Sequence, residues 1–414
     1  MINTGDTAFM LIASAMVLFM TPGLAFFYGG MVRRKNVLNT MMSSFFIIGL
    51  SSALWILIGY SLSFCGDTAG IIGNFHWFCM QGVGQNPCSY CDTIPHLVFA
   101  AFQMMFAIIT PALITGSIAE RMRFKALFLF IALWLCVVYY PLAHMVWGKG
   151  GLLGEVLGSV DFAGGNVVHI SSGVSGLILC LMLGKRKGYE HIAYRMHNIP
   201  FVLLGAAILW FGWFGFNAGS ALGANGLAAH AFMTTNTSAA FAMLSWMLID
   251  VIVQGKPTIV GAATGCVLGL VAITPGAGFV PLWSAIIIGS IASPICYFTM
   301  SKVKKHFGYD DALDAFGCHG IGGIWGGIAT GIFGKSSITP VARWNGLLFG
   351  DTHLIIAQII SIVATIAIAV VGTVICASIV KIFTPLHAND YDEKTGLDLS
   401  QHGESAYPSF NGLD

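Results

Sequence analysis

Two stretches decide the fold: DFAGGNVVHISSG at 161–173 and DALDAFGCHGIGG at 311–323. Each opens on an aspartate, Asp161 or Asp311, and carries a histidine eight residues later, His169 or His319. Glycines and other small residues flank both histidines, and the two units are offset by 150 residues. Both units run into apolar stretches of helix-spanning length. A helix needs about 20 apolar residues to cross a bilayer, whereas barrel strands alternate over about ten.

Outward from these stretches, the sequence predicts eleven spans, at about 7–30, 38–62, 93–118, 124–143, 161–184, 199–219, 224–252, 257–275, 281–298, 315–334 and 352–383. The expected fold class is an all-α integral membrane protein. Residues 1–184 form one unit of five spans and 199–334 a second. An eleventh helix follows at 352–383, and then a cytoplasmic tail at 384–414. An odd number of spans per unit makes the second unit enter the membrane from the opposite side. That is an inverted five-plus-five repeat about an axis in the membrane plane. His169 then enters from outside and His319 from inside, and they are expected to meet near the bilayer centre.

Composition supports this class. Only 9% of the 414 residues are charged and 56% are hydrophobic, against about 25% charged in a soluble domain. The 51 glycines read as close helix packing. A net charge of +1 gives no case for nucleic acid, so lipid is the expected surrounding. Alternate loops hold 16 of the 19 basic residues, leaving only Lys149, Lys335 and Arg343 on the other side. The positive-inside rule puts the N-terminus outside and the C-terminus in the cytoplasm. MINTGDTAFM lacks a basic n-region, so the first helix is expected to be retained.

An ionisable side chain inside a membrane is expensive and reads as functional by default. Two imidazoles at matched positions strengthen that reading over a packing role. One imidazole nitrogen can donate to the other, which makes the functional and the packing readings compatible. A haem held by both rings is disfavoured, because nothing around them forms a cradle. Asp161 is expected to cap the start of its helix and to lend a negative field near an outer cation site. Asp310, Asp311 and Asp314 crowd the corresponding inner position.

Aromatic residues gather at the outer side. Phe102 and Phe106 share a face of the third span, Trp147 lies beyond the fourth, and Trp213, Phe216 and Ser220 mark the outer end of the sixth. Taken singly, each reads as belt or packing. Together they suggest a cation site in which ring faces attract the charge and the Ser220 hydroxyl accepts an N–H. Stacked rings below it would stop hydrated ions. Among the cysteines, Cys136, Cys180, Cys266, Cys296, Cys318 and Cys376 read as packing residues. Cys65, Cys79, Cys88 and Cys91 fall at or beyond the outer end of the second span. A stapled external loop is favoured over a metal site for these four, and the three possible pairings stay open.

These motifs resemble the ammonium transporter family, the Amt/MEP/Rh superfamily, on its Amt branch. The resemblance rests on TPGLAFFYGGMVRRKN at 21–36, ITPALITGSIAERMRF at 109–124, HMVWGKGGLL at 144–153, DFAGGNVVHI at 161–170, GWFGFNAGS at 212–220, DALDAFGCHGIGG at 311–323 and GLDLSQHGESAY at 396–407. It implies a homotrimer with one hydrophobic pore per protomer and no cofactor. Trp147 and Ser220 would recruit ammonium with Phe102, Phe106 and Trp213 nearby. Phe106 and Phe216 would be the gate, and His169 and His319 the pore pair. Asp161 and Thr274 would support the site. Ammonium would be deprotonated and ammonia passed on, with methylammonium as a further substrate.

An ammonium sensor signalling through its tail is the alternative. An enzyme is not expected, since the sequence offers no metal cluster, nucleotide motif or catalytic triad. The tail departs from the family where an arginine is usual: His387 stands near that place. The residues alone read 385–414 as a polar, partly disordered segment. The resemblance makes it a tail packed beneath the pore and a dock for a PII-type regulatory protein.

Overall fold

In hydrocarbon every backbone N–H and C=O must find its partner within the protein, so an apolar chain folds helix after helix. The computed structural model describes residues 1–189, 191, 194–339 and 341–407. It contains α1 (Thr4–Met31), α2 (Arg34–Phe64), α3 (His96–Ile118), α4 (124–147), α5 (Gly165–Leu183) and α6 (Ile199–Gly219). These are followed by α7 (Gly226–Gln254), α8 (Ile259–Ile273), α9 (Leu282–Phe307), α10 (316–333), α11 (His353–Phe383) and the short α12 (Asp390–Thr395). Helices α1 to α7, α9 and α11 are each long and apolar enough to cross a membrane. Among the described residues, extended backbone pairs only at three isolated bridges. The chain is therefore an all-α, multi-span membrane bundle. Helix α9 runs past its expected end near 298 to Phe307, carrying Lys302, Lys304 and Lys305 in its last turns.

Side chains at the helix starts explain several boundaries. Asn3, Asn198 and Asn225 each accept the amide three residues on, at 3.1, 3.0 and 3.0 Å, and Thr258 accepts that of Gly261 at 2.9 Å. Such a cap is worth about 1 kcal/mol. Helices α1 and α6 pack over most of their length because glycines let their backbones touch. A Cβ on Gly205 would lie 2.6 Å from the Gly23 carbonyl oxygen.

At one end of the bundle the loops after α1, α3, α5 and α9 are locked by charge. Glu120 receives Arg33 through its backbone N–H at 2.8 Å and its Nε at 3.0 Å, and Arg186 Nη1 at 3.1 Å. Arg186 also grips Asp310 through Nε at 2.9 Å and Nη2 at 2.7 Å. Burial opposes the charge on Glu120 and on Asp310. The guanidiniums beside them outweigh it and hold both carboxyls below their ordinary range.

The tail closes over the same end. Lys35 Nζ donates to the Glu393 carbonyl at 2.6 Å, Asn39 N–H to Asp398 Oδ1 at 2.7 Å, and the Ala388 N–H to the Arg121 carbonyl at 2.7 Å. His387 Nε2 lies 3.4 Å from Glu393 Oε1. The partly disordered tail expected from composition is thus corrected for residues up to 407: Leu386, Asp392, Glu393, Leu397 and Asp398 are buried. Composition missed this because the partners, at the start of α2 and in the loop after α3, are more than 200 residues away in sequence. The remainder of the expected tail, 408–414, lies outside the described residues.

At the opposite end Asp67 pins the loop after α2 to the end of α4. Its Oδ1 lies 2.9 Å from His144 Nε2 and accepts the Gly70 N–H at 2.8 Å, while the Leu152 N–H reaches the Gly70 carbonyl at 2.9 Å. The hydrogen bond from His144 is the main cause that holds the Asp67 carboxyl below its ordinary value. A depressed carboxyl stabilises the fold above its unfolded-state pKa of about 3.9 and loses that contribution as pH falls through the lower folded value. Hydrogen exchange of 65–75 is therefore expected to quicken below about pH 4. Asp67→Asn should exchange fast at pH 6 already. Equal protection of that variant and the wild type at pH 6 would refute the pinning.

Candidate functional site

The helix carrying His169 starts where Asp161 gathers its first amides. Oδ1 accepts Gly164 N–H at 2.7 Å and Gly165 N–H at 2.6 Å, and Oδ2 accepts Asn166 N–H at 2.7 Å and Val167 N–H at 3.3 Å. Gly164 turns the chain at φ 117°, a conformation that favours glycine. Asp311 does the same for α10, accepting Ala315 N–H at 3.2 Å and Phe316 N–H at 2.8 Å. Each histidine then falls in a short π-helical turn, Gly165–Ile170 or Phe316–Ile321. Such turns are rare and concentrate at functional sites. A Cβ on Gly173 would run into the Gly320 backbone and lie 3.0 Å from the carbonyl carbon of His319. Bare backbone therefore lets α5 and α10 cross here and brings the two imidazoles together.

The rings of His169 and His319 lie 5.3 Å apart, centroid to centroid, and 18° from parallel. Both residues are buried. The ring-to-ring hydrogen bond that the sequence allows is not made. His169 Nδ1 and Nε2 and His319 Nδ1 are buried without any hydrogen-bond partner. Buried polar atoms are nearly always paired, so three unpaired nitrogens in one small space mark a place for a guest. The cavity there holds about 10 Å³, close to the roughly 10–15 Å³ that one water needs. Apart from the two histidines and Trp213, its lining is hydrocarbon or thioether.

Beside the histidines, Phe106 and Phe216 stack at 4.3 Å and 24°. Trp213 sits on the pore side of these rings, not in the outer cavity. It lies 5.5 Å from His169 and 22° from parallel with it, and its Nε1–H donates to Thr274 Oγ1 at 2.9 Å. Thr274 in turn donates its hydroxyl hydrogen bond to the Leu270 carbonyl at 2.7 Å. Phe102 is fully buried behind Phe106, at 5.0 Å and 69°. It does not line the outer cavity.

That cavity, of about 150 Å³, is lined by Phe106, Trp147 and Ser220 together with Tyr90, Phe99 and Gln103. Trp147 stands edge-on to Phe106 at 5.7 Å and 82°, with its Nε1–H bound to the Asp161 carbonyl at 2.8 Å. Ser220 donates its hydroxyl proton to the Phe216 carbonyl at 2.9 Å, so its oxygen keeps free lone pairs for a donor from outside. The sequence reading overlooked Gln103. It precedes Phe106 by three positions on α3, so helical spacing could have found it. Tyr90 gave no such signal, because it reaches the cavity from a loop. The four cysteines at and beyond the end of α2 are unbridged: Cys65 is buried, Cys79 is exposed, and Cys88 and Cys91 are half-buried.

Below the histidines a wider cavity of about 290 Å³ opens towards the charged loops, with Trp246, Asp314 and Glu120 in its walls. An outer aromatic bowl, a stacked ring pair, a one-molecule apolar neck and an inner vestibule make this a membrane pore protein for a very small solute.

The family model described as the Ammonium Transporter Family matches residues 8–407, and the chain belongs to that family. It is 53% identical over 403 residues to an ammonium transporter of Bacillus subtilis (strain 168), covering 97% of this chain and 98% of the relative. Its structure resembles that of Candida albicans Mep2, with TM-score 0.88 and 32% identity, covering 98% of this chain and 91% of the other. It also resembles a structure titled Sensor Amt Protein, with TM-score 0.87 and 27% identity, covering 96% and 98%.

Proposed function

We propose that this protein takes up ammonium by recruiting the cation in the outer cavity, stripping its proton and passing ammonia through the neck between His169 and His319. The observation that carries this reading is the neck itself: apolar walls, room for one small molecule and three unpartnered imidazole nitrogens. Transferring a monovalent ion into such a medium costs on the order of 20 kcal/mol in the idealised limit. Neutral ammonia escapes that cost, and potassium has no proton to shed. In the outer cavity the faces of Trp147 and Phe106 attract the cation, worth about 0.5–2 kcal/mol. The Ser220 oxygen accepts one of its N–H bonds. The Phe106 and Phe216 rings then swing to admit it. Proton or charge transfer accompanies passage, and methylammonium is a further substrate.

Helices α1 to α11 are all taken as membrane crossings. The matched Asp161 and Asp311 caps and the paired π-turns support an inverted repeat of α1–α5 and α6–α10. The basic loops at the inner end support an external N-terminus and a cytoplasmic tail. We take the assembly to be a homotrimer, with the packed tail offering a surface to a PII-type partner.

A second reading, an ammonium sensor, is favoured only by the likeness to the structure titled as a sensor, at 27% identity. Proteoliposomes with an imposed ammonium gradient separate the two, with current and internal pH recorded together. Transport predicts an ammonium-dependent signal in at least one of them. Silence in both, under chemical and electrical gradients alike, would leave the sensor.

A further inference from the structure

The loop after α2 closes one wall of the outer cavity, and it contains a pair of cysteines at matched ends of a turn. The Cys91 N–H donates to the Cys88 carbonyl at 3.2 Å, and the two residues form an isolated antiparallel bridge. A four-residue turn holds its end Cα atoms within about 7 Å. A disulfide spans about 4.4–6.8 Å between Cα atoms. Cys65 is buried, with its sulfur against the Ser61 side chain and the backbone of Trp77.

Between the two cysteines stands Tyr90, a wall of the cavity. Its ring stacks on Phe99 at 5.0 Å and 9°, and its hydroxyl donates to the Phe64 carbonyl at 2.8 Å. The Cys91 thiol itself reaches across to the turn after α6, donating to the Leu222 carbonyl at 3.6 Å, and its sulfur lies 3.4 Å from Thr93 Oγ1. Leu222 also lines the cavity and sits in the left-handed region at φ 56°. A leucine stays there only when its surroundings hold it. Ser220, the acceptor for the cation, is two residues away.

We propose that Cys88 and Cys91 are a reversible redox couple that sets how tightly the outer cavity holds its cation. This rests on the external placement of the loop and on the cation reading of the cavity given above. On oxidation the two thiols lose two protons and two electrons and an S–S bond forms. A small-molecule or protein disulfide takes up both and becomes two thiols. The Cys91 S–H is thereby consumed, so Leu222 loses the donor that holds its carbonyl, and the turn that carries Ser220 loosens. The closed loop is short, so the bond gains little from chain entropy and its half-buried sulfurs stay open to exchange. It acts as a switch, not a permanent staple.

The test equilibrates the full-length protein with defined ratios of reduced and oxidised glutathione and maps the link by peptide mass spectrometry. Ammonium affinity is read by titrating intrinsic tryptophan fluorescence and, independently, by uptake into proteoliposomes. The oxidised protein is expected to carry a Cys88–Cys91 link and to need about threefold more ammonium for half-saturation, since the cavity is less preorganised. Its maximal rate should be unchanged. The C88S/C91S double variant should ignore the glutathione ratio. A link to Cys65 or Cys79, free thiols at every ratio, or equal affinity of the two forms would overturn the proposal. Loss of uptake with a redox-dependent fluorescence titration would count against transport and leave the couple standing.

Discussion

Replacing both pore histidines by alanine is expected to abolish the coupled ammonium signal while the protein still folds. The two rings are buried but donate and accept nothing within the protein at three of their four nitrogens, so folding loses little by their removal. Transport loses the groups that can take a proton from a passing N–H. Positioned proton-transfer groups contribute about 10²- to 10⁴-fold to a rate, so current per folded molecule should drop by about 100-fold or more. A single His169→Asp change has a different expected result. It adds a negative charge to an otherwise apolar neck and offsets the cost of admitting a cation. Potassium permeability relative to ammonium should then rise. The measurement is the ammonium-to-potassium permeability ratio, normalised to folded protein. A double-alanine variant with wild-type current and selectivity would remove the histidines from the mechanism. A fall in yield alone would make their role structural.

Asp161→Ala should act in the opposite way, by destroying the fold around the site. Its carboxylate is the acceptor for four consecutive backbone amides at the start of α5. Each buried donor left without a partner costs about 1–3 kcal/mol. Several at once consume much of the roughly 5–15 kcal/mol by which a protein is stable. Little folded protein is expected from this variant. Asp161→Asn keeps one acceptor oxygen and should fold with a lowered Tm. Its transport should also fall, because the Asp161 carbonyl that holds Trp147 at 2.8 Å belongs to the same turn. Thermal unfolding in detergent and uptake by the surviving protein check both statements. An alanine variant with wild-type Tm would show that the four amides find other partners.

Much of this was legible in the sequence, for physical reasons that differ by element. The helices were readable because a bilayer leaves an apolar run no other structure. The Asp–His spacing pointed to the two caps and the two buried rings, since the same local build needs the same residues at the same offsets. What could not be read was the stacking between non-adjacent helices. Phe102 and Phe106 share a face of α3, yet only Phe106 meets the cavity. Trp213 was placed with the outer cluster because it lies near Phe216 in sequence; one helical turn puts it below the rings beside His169. Composition alone misread the tail for a related reason. Its polar residues look like those of a free segment until Lys35, Asn39 and Arg121 are brought beneath the bundle.

The crossing of α5 and α10 at Gly173 and Gly320 has a mechanical consequence. Side chains between helices act as a compressible cushion, and a change of a few tenths of an ångström can be absorbed by rotamers. Here main chain rests on main chain, and there is nothing to compress. The bore between the imidazoles therefore rests on direct van der Waals contact of backbone with backbone, a hard fulcrum. A thicker or thinner lipid bilayer can tilt the peripheral helices about that point, as mismatched bilayers do, without widening the neck through which the solute passes.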